Sequence, residues 1–152
     1  MDNQIAIQII IFIICLFFSG YFSSAETALM GFNKIRMTSL AEDGNKKAKT
    51  VIKLIENPNI LLSTILIGNN LANIGASSLA TSLAIKLFGN TGVGIATGVV
   101  TLLVLIFGEI TPKSLAANNP DKAALSFANP INVLSKILRP IIFLLNIITS
   151  AI

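Results

Sequence analysis

The sequence predicts an all-α integral membrane protein: three transmembrane helices, with juxtamembrane amphipathic helices forming a belt. Three observations lead there. Charged residues make up only 12% of the 152-residue chain and hydrophobic residues 53%, whereas a soluble domain carries about 25% charged residues. The apolar residues come in long blocks, and a bilayer requires blocks because a spanning helix must satisfy its own backbone while presenting hydrocarbon outward. The basic residues gather at particular span ends, which orients a membrane protein. The net charge of +4 therefore speaks for membrane orientation and not for nucleic acid, and the expected surroundings are membrane lipids.

The first span covers about residues 4–26 and contains the run from Ile9 to Phe18. Its start, Met1-Asp2-Asn3-Gln4, has no Lys or Arg, and no small-residue cleavage pattern follows the apolar run; this reads as a retained span and not as a signal peptide. Cys15, the single cysteine, lies in this block and reads as a small packing residue. The stretch from about 33 to 56 holds Lys34, Arg36, Lys46, Lys47, Lys49 and Lys53. Apolar residues interleave with those charges, a pattern of amphipathic helices on the membrane surface, and Asp43-Gly44-Asn45 marks a turn between two of them.

The second span, about 60–87, is entered through Asn57-Pro58-Asn59, a helix-start sequence. Phe88-Gly89-Asn90-Thr91-Gly92 is a turn, and the third span covers about 93–111. The remaining segment, about 121–152, is divided by Pro130 and Pro140 into pieces too short to cross independently. It reads as a helical hairpin or belt at the interface, with a fourth span as the alternative. The six basic residues after the first span, and Lys113, Lys122, Lys136 and Arg139 after the third, place the N-terminus outside and the C-terminus in the cytoplasm, as a multi-pass protein of the cell membrane.

Each polar group inside a span costs free energy and calls for a reason. Ser19, Ser23 and Glu26 are spaced i, i+4, i+7 and share a helical stripe. Asn69, Asn70 and Asn73 interrupt the second span, and Asn70, Asn73 and Ser77 share a face. Packing and interhelical hydrogen bonding would account for either cluster. In the third span Glu109 stands beside Gly108, with Pro112 beyond. Pro112 has no N–H for the carbonyl four residues earlier, that of Gly108, so a carboxylate and a freed backbone oxygen fall at one place. A Glu109–Lys113 pair is the alternative reading of that carboxylate. Together the clusters offer hard oxygen ligands suited to Mg²⁺, Ca²⁺ or Na⁺. With no histidine, no metalloprotease motif and no phosphate loop, an enzyme is not expected.

The three motifs Ser19-Gly20-Tyr21-Phe22-Ser23-Ser24-Ala25-Glu26-Thr27-Ala28-Leu29, Gly68-Asn69-Asn70-Leu71-Ala72-Asn73 and Gly108-Glu109-Ile110-Thr111-Pro112-Lys113 resemble, in order and spacing, the transmembrane domain of the CNNM/CorC magnesium transporters. The resemblance implies a homodimer with three spans per subunit, and Mg²⁺ export coupled to Na⁺ entry. It also implies an ion site built from Ser19, Ser23, Asn73 and Glu109, with Asn70 and the Gly108 carbonyl next. Family members usually continue into cytoplasmic CBS modules that bind ATP, so this chain reads as a membrane domain separated from them. The competing role is a non-transporting membrane anchor or sensor for such modules; a channel is a third.

Overall fold

The computed structural model describes residues 3–152. Met1 and Asp2, whose lack of basic charge enters the orientation argument, lie outside the described residues. Helices α1 (Asn3–Gly31), α2 (Lys34–Glu42), α3 (Lys46–Ile55), α4 (Pro58–Phe88) and α5 (Gly92–Leu103) are followed by a π-helical segment (Val104–Ile110), α6 (Thr111–Asn118) and α7 (Pro120–Ser150). No strand occurs among the described residues. Among the described residues, four helical stretches are long and apolar enough to cross a membrane: α1, α4, the run Gly92–Asn118 and α7.

The chain divides into two compact units. The first comprises residues 1–24 and 68–114. Within it α1 and α4 are antiparallel neighbours, as a descending series of contacts shows. Gln8 Nε2 donates to Ser82 Oγ at 3.3 Å and Lys86 Nζ donates to Gln8 Oε1 at 3.2 Å. Cys15 faces Gly75, Ser19 reaches Asn73 and Asn69, and the Phe22 ring lies against Gly68. The third helical run is parallel to α1: Ser19 meets Gly108, Gly20 meets Phe107 and Pro112, and Ser24 Oγ donates to the Pro112 carbonyl at 3.1 Å. Small residues set these spacings. A Cβ on Gly20 would stand 3.0 Å from both the Phe107 carbonyl oxygen and Pro112 Cγ, and one on Gly68 would overlap the Phe22 ring. Without a hydrophobic drive between helices in lipid, such close backbone approach supplies the packing that holds spans together.

The second unit comprises residues 25–67 and 115–152. Its helix starts are set by asparagine. Asn33 caps α2, Asn45 caps α3 and Asn119 caps α7, each side chain accepting from the backbone N–H three residues on, which satisfies one otherwise orphaned donor. Gly44, at φ 93°, makes the α2–α3 turn, and Gly89, at φ 69°, ends α4 in the first unit; both conformations suit glycine because a Cβ would be strained there. Asp121, in the first turn of α7, accepts from the Asn33 backbone N–H at 2.7 Å and pairs with Arg36 at 3.6 Å. Helix α3 sorts its residues sharply, burying Ala48, Val51 and Leu54 with its lysines opposite. It packs against α2 and α7. Helix α2 is less sorted than the sequence suggests, for Ile35 is exposed and only Met37 is buried.

The division of the last segment at Pro130 and Pro140 is not what forms. Helix α7 runs unbroken through both prolines for 31 residues. Each proline removes one hydrogen bond and presses on the preceding turn, but both lie on the exposed side of the helix. The opposite stripe, Ala124, Ala128, Ile131, Ser135 and Ile142, is buried, and the helix continues along that docked face instead of ending.

The glycine contacts give a direct check on helix register. Gly68→Ala drives a methyl into the Phe22 ring and should cost about 1–3 kcal/mol of stability. Gly94→Ala meets nothing within 4 Å and should be neutral or stabilise by up to about 1 kcal/mol through helix propensity. Denaturant titration of the protein in detergent micelles measures both, and equal effects would contradict the α1–α4 register.

Candidate ion-binding site

Near the C-terminal end of its lipid-length run, α1 turns a serine inward. Ser19 and Ser23 are one turn apart on the same face, and both are fully buried. The close approach of the third helical run, permitted by Gly20 and Gly108, brings backbone to Ser19: a Cβ on Gly108 would stand 2.7 Å from Ser19 Oγ. From α4, Asn69 and Asn73 reach the same hydroxyl, since residues four apart share a helical face.

Three acceptor oxygens thus converge on Ser19 Oγ: Asn73 Oδ1 at 2.6 Å, Asn69 Oδ1 at 3.3 Å and the Gly108 carbonyl at 3.4 Å. A serine hydroxyl has one proton to give. Asn73, the nearest, takes it, and the other two acceptors face the hydroxyl's lone pairs. One turn along, the Ser23 hydroxyl is buried with no hydrogen-bond partner among the described residues. An unmade hydrogen bond of this kind costs about 1–3 kcal/mol. Glu109 is half-buried next to Gly108, and its carboxylate makes no hydrogen bond or ion pair among the described residues. A cation placed among these oxygens would accept from all of them at once. No cluster of three or more His, Cys, Asp or Glu side chains capable of holding a metal occurs among the described residues, so the donors here are neutral oxygens with one carboxylate at the margin.

The backbone at Gly108 is unusual for a physical reason. Residues Val104–Ile110 form a π-helical segment, at whose end the Thr111 N–H reaches back to the Ile106 carbonyl. Pro112 has no N–H to continue the α-helical ladder to Gly108. Widened segments of this kind recur at functional sites because they re-aim backbone groups. The sequence reading drew attention to the Gly108 carbonyl through Pro112 but did not foresee the π-helical segment that contains Gly108.

Of the six residues the sequence singled out, Ser19, Asn73 and Gly108 come together directly, Ser23 lies a turn away on the same face, and Glu109 adjoins Gly108. Asn70 does not join them. It is exposed, and Asn69 reaches Ser19 instead. Spacing alone does not choose between them, because Asn69 at i−4 and Asn70 at i−3 both share a helical face with Asn73.

The family model of the cyclin M transmembrane N-terminal domain matches residues 10–152. A UPF0053 protein of Haemophilus influenzae is 48% identical over 93% of this chain, which covers 34% of that protein. A UPF0053 inner membrane protein of Escherichia coli, YfjD, is 46% identical over 86% of the chain and 31% of its own length. A chloroplastic DUF21 domain-containing protein of Arabidopsis thaliana is 37% identical over 88% of the chain and 20% of its own length. The chain spans about a third of the length of the first two of these curated relatives. The apolar helices and the family domain together mark a multi-pass membrane protein. The chain belongs to the CNNM family, as a cyclin M transmembrane N-terminal domain.

Proposed function

We propose that this domain transports Mg²⁺, exporting it in exchange for Na⁺ entry, by alternating access to the oxygen site around Ser19. The convergence of three acceptor oxygens on one hydroxyl is the observation that carries the proposal. Adjacent ligands of an octahedral ion with bonds of about 2.1 Å lie about 3.0 Å apart. The 2.6, 3.3 and 3.4 Å separations bracket that spacing, so modest side-chain adjustment would admit the ion. Ser19, Ser23, Asn69, Asn73 and the Gly108 carbonyl supply neutral oxygens, and Glu109 supplies the single negative charge. A site of such low charge binds a divalent ion weakly enough to release it, which transport requires. The choice of Mg²⁺ and of Na⁺ coupling comes from the three-motif resemblance; the donor chemistry supports a hard cation.

The working assembly in this reading is a homodimer with no enzymatic role, attached in longer proteins to cytoplasmic CBS modules. Helix α1, helix α4 and the run Gly92–Asn118 are its three spans, with the N-terminus outside and the C-terminus cytoplasmic. The antiparallel α1–α4 pairing and the parallel third run suit three successive crossings. Helix α7, with α2 and α3, makes the interfacial belt. Lys136 and Arg139 fall in the middle of α7, where each charge would cost about 2.5–3.5 kcal/mol at a bilayer centre. Its neighbour α3 carries Lys46, Lys47, Lys49 and Lys53.

A membrane anchor or sensor is the competing role, because the Ser19–Asn73 hydrogen bond alone would lock α1 to α4. Binding and flux separate the two. A carboxylate and a divalent ion in contact attract by several kcal/mol even at an effective dielectric of about 20, so Glu109→Gln should weaken Mg²⁺ binding by roughly a hundred-fold or more. Asn69→Ala and Asn73→Ala should weaken it less, and Asn70→Ala should leave it unchanged. Calorimetric titration reads these affinities, and liposomes loaded with a Mg²⁺ dye read Na⁺-dependent flux. Unchanged affinity in Glu109→Gln would sink the site, and neither binding nor flux in the parent protein would favour the anchor.

The belt is tested by thiol labelling in a Cys15→Ser background. Lys136→Cys and Thr149→Cys should both react with a membrane-impermeant maleimide from the cytoplasmic side. A crossing α7 would shield Lys136→Cys and expose Thr149→Cys on the opposite face.

A further inference from the structure

We infer that the second unit carries a binding pocket for the phosphate of an anionic phospholipid, formed where α3, α7 and the start of α4 meet. A cavity of about 220 Å³ lies there. Three cations line it: Lys53 from the last turn of α3, and Lys136 and Arg139, one turn apart on α7. None of the three is in an ion pair among the described residues. No carboxylate lines the cavity; Glu56, three residues after Lys53, is outside it. Three like charges around one hollow repel each other, so an anion between them lowers the energy of the whole cluster.

The remaining lining fits a phosphodiester with an acyl chain attached. Asn57 and Asn132, also in the lining, carry side-chain amides able to donate. The Ser135 hydroxyl is already committed to the Asn132 carbonyl at 2.8 Å and is not counted as a donor. Leu54, Ile60 and Leu61 supply an apolar wall, and Ile60 and Leu61 open the apolar run of α4. The cavity therefore sits where the lysine-rich surface helix gives way to a lipid-length helix. At that level long basic side chains extend toward headgroups, and basic pockets beside membrane helices select anionic lipids. The planar guanidinium of Arg139 can hold two phosphate oxygens, while the lysines act as point charges. The inference is independent of the ion site, which lies in the other unit.

Native mass spectrometry of the purified chain in detergent, titrated with phosphatidylglycerol or with phosphatidylcholine, tests it. The parent protein should retain phosphatidylglycerol preferentially. The triple variant Lys53→Gln, Lys136→Gln, Arg139→Gln should lose that preference by about a hundred-fold, at roughly five-fold for each basic residue. A second triple variant, Lys46→Gln, Lys47→Gln, Lys49→Gln, has the same net charge and should retain it, and Arg139→Lys should weaken it only in part. Equal losses in the two triple variants would reduce the effect to general surface charge and overturn the pocket. Millimolar inorganic phosphate should leave the lipid bound; displacement by free phosphate would assign the cavity to a soluble anion and overturn the lipid assignment.

Discussion

One buried hydroxyl proton, shared among three acceptor oxygens, is the constraint around which the first unit is organised. Ser19 satisfies Asn73 and leaves Asn69 and Gly108 directed at its lone pairs. Evolved interiors pair their buried polar groups, and a bilayer gives unpaired ones no water to turn to. The Ser23 hydroxyl one turn away, buried without a partner, adds an unused donor and unused lone pairs on the same face. Two acceptors at Ser19 exceed its single proton, and a hard cation bound there would satisfy them at a single point.

Bringing three helices this close depends on what the side chains leave out. Gly20 and Gly108 back onto one another's helices, and neither position has room for a methyl group without movement of the neighbour. Pro112 contributes in two ways: its ring packs on Gly20, and its missing N–H goes with the π-helical segment that carries Gly108. The same proline carbonyl takes the Ser24 proton at 3.1 Å, fastening the α1 end of the site. Packing and ligand placement are thus one arrangement, and a substitution at either glycine would disturb both.

How much of this was legible in the sequence follows from the range of the forces involved. The apolar blocks located the long helices because lipid exposure acts on each residue locally. Gly108 was legible as a place to look because, in an α-helix, a proline withholds its N–H from the carbonyl four residues before it, whereas the π-helical register there was not. The choice between Asn69 and Asn70 was not, because it depends on which side of α4 docks against α1, a matter settled by Gly68 under the Phe22 ring and Gly75 beside Cys15. Pro130 and Pro140 misled for a related reason. Their local cost is real, but the buried stripe from Ala124 to Ile142 outweighs it. The cation-lined cavity joins Lys53 to Arg139 across most of the chain, and no local pattern announces such a meeting.

The central claim is that the oxygens around Ser19 hold a hard divalent cation. Crystals of the protein grown with Mn²⁺ in place of Mg²⁺, and measured at the manganese absorption edge, test it most directly. The account predicts an anomalous peak within about 2.2 Å of Ser19 Oγ, Asn73 Oδ1 and the Gly108 carbonyl oxygen, close to the distances an octahedral divalent ion adopts. A peak confined to surface carboxylates, with only a water hydrogen-bonded among those three oxygens, would contradict it.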